Sequence, residues 1–116
     1  MVPRAERVNQ LIKKEISLAL EREGDFPPGV LVTLTRVDTS GNLIQAKVFI
    51  SVFPESEAEK IIAFLHKRVY HFQQIFNKRA RMRPVPKLIF VYEKQTVEAG
   101  RIDELLAQIK REHLSG

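Results

Sequence analysis

The residues 43–53, Leu-Ile-Gln-Ala-Lys-Val-Phe-Ile-Ser-Val-Phe, form the clearest strand pattern in the chain. One apolar face of this strand is formed by Ile44, Ala46, Val48, Ile50 and Val52. Successive side chains of a strand point to opposite faces of its sheet, so this alternation predicts one face in the core. The other face is mixed in character, and we therefore expect helices to cover only one side of the sheet.

Two further elements lie upstream of this strand. Residues 30–38 are rich in β-branched side chains and predict a strand, and Ser40-Gly41-Asn42 predicts a turn. Two strands joined by so short a turn form an antiparallel hairpin. Residues 4–22 predict a helix, because apolar residues recur there at helical spacing: Val8, Leu11, Ile12, Ile16, Ala19 and Leu20.

A long helical pattern follows Pro54 and reaches about Ala80. Ser56 and Glu59 have the spacing of a capping box, and the acidic residues around them suit the positive end of a helix dipole. The pattern is long for a small domain, so a kink or break inside it is expected. Its apolar positions, Phe72 among them, predict core packing.

The last elements are a short third strand, Leu88 to Tyr92, and an amphipathic helix over 101–113. Residues 1–116 show no repeat or linker, and we expect them to form one domain. The chain has no cysteine, no apolar run long enough to cross a membrane and no signal-peptide pattern at its start. These features predict a cytoplasmic protein.

Motifs of catalysis and metal binding are missing from the sequence. There is no HExxH, no phosphate-binding GxxxxGK[ST] and no GxGxxG, and the glycines at 24, 29, 41, 100 and 116 are scattered. His66 and His71 are poorly spaced for metal ligands on one helix face, and a surface or groove position explains them better. Glu55, Glu57 and Glu59 could form an acid–base pair, but the helix dipole accounts for them. We expect no enzyme activity, no metal, no cofactor and no small-molecule substrate.

Residues 66–87 contain seven basic side chains and no acidic one, and the whole chain has a net charge of +5. Such a segment attracts polyanions, and arginine suits phosphate because its planar group donates two hydrogen bonds. Tyr70, His71 and Phe72 are possible stacking surfaces for unpaired bases, although for Phe72 the core is the favoured position. A solvated basic helix face is the alternative interpretation. A membrane-bound amphipathic helix is disfavoured, because the apolar stripe is needed to cover the sheet.

Several segments together resemble the ribosome-binding factor A family across residues 4–109. They are Arg7-Val8 with Ile12, Glu15 and Ile16; residues 46–52; Arg81-Met82-Arg83 with Val85-Pro86 and Leu88-Ile89-Phe90; and residues 97–102. The resemblance implies an α+β, type II KH-like fold of order α-β-β-α(α)-β with a C-terminal helix, and a three-stranded sheet with helices on one face. The family has an interrupted helix in place of the GxxG loop of ordinary KH domains.

The family's break falls, by this resemblance, at Arg68-Val69-Tyr70, where neither the usual Ala nor the usual Gly is present. A straight helix and a break elsewhere within 66–71 are the alternatives. Glu93-Lys94-Gln95 also stands where the family commonly has Asp and Ser.

The function implied by the resemblance is assistance in late maturation of the small (30S) ribosomal subunit by binding 16S rRNA, including processing of the rRNA 5′ end and support of growth in the cold. The implied partners are 16S rRNA and the immature subunit, and we expect a monomer. The basic residues predicted to contact rRNA phosphates are Lys67, Arg68, Lys78, Arg79, Arg81, Arg83 and Lys87, with Arg4 and Arg7 in addition. The alternatives are a free-standing KH-like binder of messenger or small RNA, and a small hydrolase.

Overall fold

The computed structural model describes residues 3–94, which form three helices and one three-stranded sheet. In chain order the elements are α1 (Arg4–Glu23), β1 (Leu31–Thr39), β2 (Gln45–Phe53), α2 (Ala58–Lys67), α3 (Val69–Arg79) and β3 (Lys87–Tyr92). The predicted α+β order is confirmed over this part of the chain. The helix predicted at 101–113 lies outside the described residues.

The sheet order is β1-β2-β3, with β1 antiparallel to β2 and β3 parallel to β2. The predicted hairpin is therefore confirmed. A parallel neighbour requires a crossover connection, and α2 and α3 supply it. The three helices lie on one face of the sheet, as predicted, and they bury the even-numbered residues of β2 from Ala46 to Val52.

A bulge interrupts the alternation of β1. Leu34 pairs with Ile50 and Arg36 pairs with Phe49, so Thr35 is the extra residue. One extra residue exchanges the two faces of the strand beyond it. The core-facing positions therefore pass from Leu34 to Val37 and Thr39.

Two details predicted from the sequence are wrong. Ile44 is 62% exposed, because β2 begins one residue later and Leu43, at φ 61°, packs against the core instead. Ser56 and Glu59 form no capping box, because a 3₁₀ turn over Glu55–Glu57 precedes α2 and no side chain caps either helix. The nearby acidic residues do lie at the helix start, where the dipole favours them.

The long helical pattern is broken at Arg68, as the family resemblance predicted. Its backbone (φ −103°, ψ 8°) leaves the helical region, while its N–H donates to both Phe64 O and Leu65 O at 3.1 Å. The φ is negative, so an arginine forms this break without the freedom of glycine. The break turns α3 so that Phe72 and Phe76 are buried, which confirms the core position predicted for Phe72.

Candidate nucleic-acid interface

Helices α1 and α3 run antiparallel to each other, and two side-chain contacts join them. Arg79 and Glu15 form an ion pair over 3.9 Å, and His71 Nε2–H donates to the carboxylate of Glu23 near the opposite end of both helices. The sequence 66–87 has no acidic residue, but the fold supplies two from α1. Within residues 3–94, Arg79 is thus the one predicted RNA-binding residue of α3 that pairs with a carboxylate.

Four structural features meet at one end of the molecule. These are the C-terminus of α3, the N-terminal half of α1, the β1–β2 turn and the start of β3. Asn9 of α1 accepts a hydrogen bond from Thr39 N at 2.9 Å, and Lys87 N donates to Ile44 O at 2.9 Å. We call this region the basic end. Its predicted RNA-binding residues are Arg4, Arg7, Lys78, Arg79, Arg81, Arg83 and Lys87, all exposed.

The segment 80–86 presents two of these arginines to solvent. Ala80, Met82 and Val85 pack against the core, whereas Arg81 and Arg83 are exposed. An extended chain anchored on alternate side chains directs the others outward. Arg81 and Arg83 therefore lie side by side on the surface, and neither forms an ion pair within residues 3–94.

Lys67 and Arg68 do not belong to the basic end. They lie at the break between α2 and α3, and the 11 residues of α3 place them about 16 Å from its C-terminus. The Arg68 guanidinium lies 5.1 Å from the Phe64 ring centroid, and Phe64 in turn contacts Phe26 edge to face. The nine predicted residues thus form two basic surfaces instead of one.

The free edge of β3 is covered by polar side chains from the helices. Gln73 Nε2 donates to Pro86 O at 3.0 Å, and Leu88 N donates to Gln73 Oε1 at 2.8 Å. His66 Nε2–H donates to Phe90 O at 3.0 Å. An uncovered edge strand would present these backbone groups to other chains. His66 therefore has a structural role, and within residues 3–94 no cluster of His, Asp or Glu is arranged to hold a metal.

A charged network lies on the sheet face opposite the helices. Glu93 accepts hydrogen bonds from Thr35 Oγ1 at 2.6 Å and Arg36 Nε at 3.0 Å, and the Arg36 guanidinium lies 3.8 Å from the Phe49 ring centroid. The Thr35 hydrogen bond first, and Arg36 second, hold the pKa of Glu93 below its ordinary value. This network joins the two edge strands across β2, and neither the network nor the β1 bulge was predicted from the sequence.

Tyr70 and Asn77 are two exposed residues on one face of α3, beside the start of β3. The sequence predicted Tyr70 as a stacking surface but did not single out Asn77, whose Oδ1 accepts a hydrogen bond from Gln73 Nε2 at 3.0 Å. As a separate point, no helix in the described part of the chain combines the length and apolar character needed to cross a membrane.

Comparisons with known proteins agree on one family. The family model described as ribosome-binding factor A matches residues 4–106. Ribosome-binding factor A of Halothermothrix orenii is 34% identical, with 97% of this chain and 93% of that protein aligned. The protein of the same name from Natranaerobius thermophilus is 36% identical, with 91% and 82% aligned.

A solved structure shows the same fold. The crystal structure of ribosome-binding factor A from Thermus thermophilus superposes with a TM-score of 0.65 at 21% identity. The match covers 76% of this chain and 94% of that one. At this identity the structural likeness supports the KH-like fold alone, whereas membership of the family rests on the family model and the sequence relatives.

Proposed function

Because this chain belongs to the ribosome-binding factor A family, we propose that it binds the immature small ribosomal subunit and assists its maturation through contacts with 16S rRNA. The observation that carries the rRNA contact is the basic end, where seven exposed cations from α1, α3, β3 and the segment 80–86 share one end of the fold. Phosphate contacts of this kind fix the position of a protein on RNA.

The basic end suits folded rRNA better than a small ligand. Its cations are exposed and spread over several elements, so they can meet phosphates of more than one RNA segment. Arg81 and Arg83 supply planar groups that match phosphate oxygens. Lys67 and Arg68 form a second contact surface at the helix break. Shape supplies much of the selectivity for structured RNA.

The protein acts in this proposal by binding alone, as a monomeric single domain of the cytoplasm, without a cofactor. Processing of the rRNA 5′ end follows from the subunit conformation that the bound protein favours, and growth in the cold depends on it. Nucleases of the cell perform the cleavage, since the proposed contacts are basic side chains without an acid–base pair.

Sedimentation with ribosomal fractions tests this function. We expect salt-sensitive comigration with free small subunits and absence from complete ribosomes. Comigration with no ribosomal species, together with tight binding of short single strands, would replace the proposal with a free-standing binder of messenger or small RNA. Accumulation of 16S rRNA with an unprocessed 5′ end in cold-grown cells lacking the protein tests the maturation step.

Charge reversal tests the assignment of the basic end. If about four phosphates are neutralised, the log–log dependence of affinity on salt has a slope of about −3. The double variant Arg81→Glu, Arg83→Glu removes two of these contacts, and the slope should therefore become less steep, about −1.5. A matched control with the same charge change is Lys60→Glu with Lys94→Glu. Both side chains are exposed and lie outside the basic end, Lys60 in α2 and Lys94 after the last residue of β3. Equal slopes for the two double variants would refute the assignment.

A further inference from the structure

The two edges of the sheet differ in how their backbone groups are satisfied. At the β3 edge, Gln73 and His66 bind backbone groups of β3 and of the residue before it. At the β1 edge, within residues 3–94, a side chain binds the backbone only at the end of the strand, where Thr39 N donates to Asn9 Oδ1 at 2.9 Å. The first part of β1, residues 31–34, is therefore an edge that the described part of the chain does not cover.

The register of the sheet shows which backbone groups of this stretch point outward. Ile50 O accepts a hydrogen bond from Glu93 N at 2.8 Å, so the even-numbered residues of β2 direct their backbone groups toward β3. Leu34 and Val32 lie opposite Ile50 and Val52 and therefore form no backbone hydrogen bond with them. Their N–H and C=O groups point away from β2, and no backbone group within residues 3–94 binds them. Free groups of this kind pair with another extended chain.

A groove of about 1010 Å³, including its open solvent side, runs beside this edge. Residues 30–34 form one wall, and the C-terminal half of α1 with Phe26 forms the other. The α1 wall is apolar at Leu20 and polar at Ser17 and Glu21. A chain paired with the edge would place every second side chain in this groove, because side chains alternate along a strand. Backbone pairing supplies affinity in such complexes, and the groove supplies selectivity.

The groove carries negative charge, although the whole chain has a net charge of +5. Glu21 lines it and Asp25 follows the end of α1; both are exposed, and neither forms an ion pair within residues 3–94. No lysine or arginine of the described chain lines the groove. Glu21 lies about 25 Å from Arg4 along α1, so the groove and the basic end are at opposite ends of the helix. A cationic occupant is therefore favoured.

The same charges disfavour two other occupants. RNA would bring phosphates, which the carboxylates of Glu21 and Asp25 repel. A second copy of this chain would bring the same two carboxylates, because a two-fold interface joins identical surfaces. An extended segment of a basic protein has both the backbone groups that fit the edge and the charge that fits the groove.

We propose that the β1 edge binds an extended, lysine- or arginine-rich segment of a partner protein as a fourth strand of the sheet. The backbone of this segment pairs with Val32 and Leu34, and one of its cationic side chains meets Glu21. The bulge at Thr35 ends the regular edge, so the added strand is short and the complex is reversible. Because the basic end is remote, the protein can bind rRNA and this partner at the same time.

Amide hydrogen exchange of the full chain, measured by NMR, reports this pairing directly. The probe is a blocked hexapeptide with lysine at both ends and alternating valine and threonine between them. We expect the amide protons of Val32 and Leu34 to exchange about tenfold more slowly when about 90% of the protein is bound, because exchange then occurs from the free fraction. The amide of Thr33, which already bonds to Ser51 of β2, should not change.

The same peptide methylated at every backbone nitrogen is the control for pairing. It keeps the charge and the side chains but has no N–H donor, and it should leave both exchange rates unchanged. Slowing by both peptides, or by neither, overturns the proposal.

Substitutions separate the backbone contact from the charge. Val32→Pro removes one outward N–H without breaking a hydrogen bond between β1 and β2, and an edge strand tolerates proline at such a position. It should weaken peptide binding about 3- to 10-fold, whereas Val32→Ala, which keeps the N–H, should bind within about twofold of the wild type. Equal affinities of these two variants overturn the proposed pairing.

Glu21→Lys changes an exposed side chain and tests the charge even if the proline variant does not fold. It should weaken peptide binding about 2- to 10-fold at low salt. The matched control is Glu6→Lys, which makes the same charge change on an exposed residue at the other end of α1. Equal affinities of the two variants overturn the choice of a cationic partner.

Exchange in the free protein identifies other occupants of the edge. Slowing at Val32 and Leu34 that grows with protein concentration, without peptide, would assign the edge to a second copy. Slow exchange at every concentration would assign it to the chain's own residues, and displacement of the peptide by oligouridylate would assign it to RNA. Each of these results overturns the proposal. Sedimentation with small subunits tests the opposite end of the molecule, so the two proposals can fail separately.

Discussion

Replacement of Gln73 by alanine is expected to destabilise the fold, because this side chain joins α3 to the free edge of β3. Its amide accepts from Leu88 N at 2.8 Å and donates to Pro86 O at 3.0 Å. Leu88 is 1% exposed, so water has little access to its N–H when the glutamine is removed. The alanine variant therefore leaves a buried backbone donor without a partner.

The magnitude follows from these two hydrogen bonds. A buried donor left unpaired costs about 1–3 kcal/mol, and the lost bond to Pro86 O adds about 1 kcal/mol. We expect a decrease of about 2–4 kcal/mol in the free energy of unfolding, a large part of the about 5–15 kcal/mol typical of a small protein. With a urea m-value of about 2 kcal/mol/M, the midpoint should fall by about 1–2 M.

Urea unfolding followed by circular dichroism measures this effect, and Gln74→Ala is the matched control. Gln74 is the next residue of α3, is also half-buried and forms no side-chain hydrogen bond within residues 3–94. Both substitutions change helix propensity equally, so their difference isolates the contact with β3. If the two variants unfold at the same urea concentration, Gln73 does not hold the edge of β3.

Two further substitutions test other parts of the fold. Glu93→Gln should remove part of the loss of folding stability that occurs at acidic pH. Because the pKa of Glu93 is lowered in the folded state, its stabilisation is present above the unfolded value of about 4.3 and is lost as pH falls through the folded value. The variant should therefore lose less stability than the wild type between neutral and acidic pH. Gly24→Ala should cost about 1–3 kcal/mol in thermal or urea unfolding, since its Cβ would lie 2.2 Å from Phe26 Cε2 and 2.4 Å from Leu20 O.

Each of these predictions has a control in the same chain. Asp25→Asn changes an exposed carboxylate between α1 and β1 that forms no ion pair within residues 3–94, and its acid profile should match the wild type. An acid profile of Glu93→Gln that also matches would exclude the Thr35–Arg36 network as a source of stability. Gly41→Ala adds a Cβ where no atom lies within 4 Å and should change stability by less than about 0.5 kcal/mol. Comparable costs at both glycines would contradict the close approach at Gly24.

The elements of the fold could be predicted because each depends on a local pattern. Alternating apolar residues identified β2, helical spacing identified α1, and a short turn joined the hairpin. The errors came from features without a local signal. Ile44 continues the alternation of β2 but lies beyond its last core contact, and the Ser56 capping pattern is overridden by the 3₁₀ turn that packs after Pro54.

The candidate site was only partly predictable. Its basic residues are plain in the sequence, because a run of cations without acidic residues needs no structure to be seen. Their division into two surfaces depends on the length of α3, and the pairing of Arg79 with Glu15 depends on the antiparallel contact of α1 with α3. The contact of Gln73 with Pro86 and Leu88 was not predicted, because it connects residues from separate elements.

By itself, the amino-acid sequence determined the order of helices and strands, the family, and the basic character of residues 66–87. These properties follow from neighbouring residues or from matched segments in a fixed order. Tertiary structure alone decided the parallel pairing of β3, the bulge at Thr35, the covering of the β3 edge and the division of the basic residues into two surfaces. Each of these depends on contacts between residues far apart in the chain, and the energy of such a contact is fixed by packing geometry, which no local pattern records.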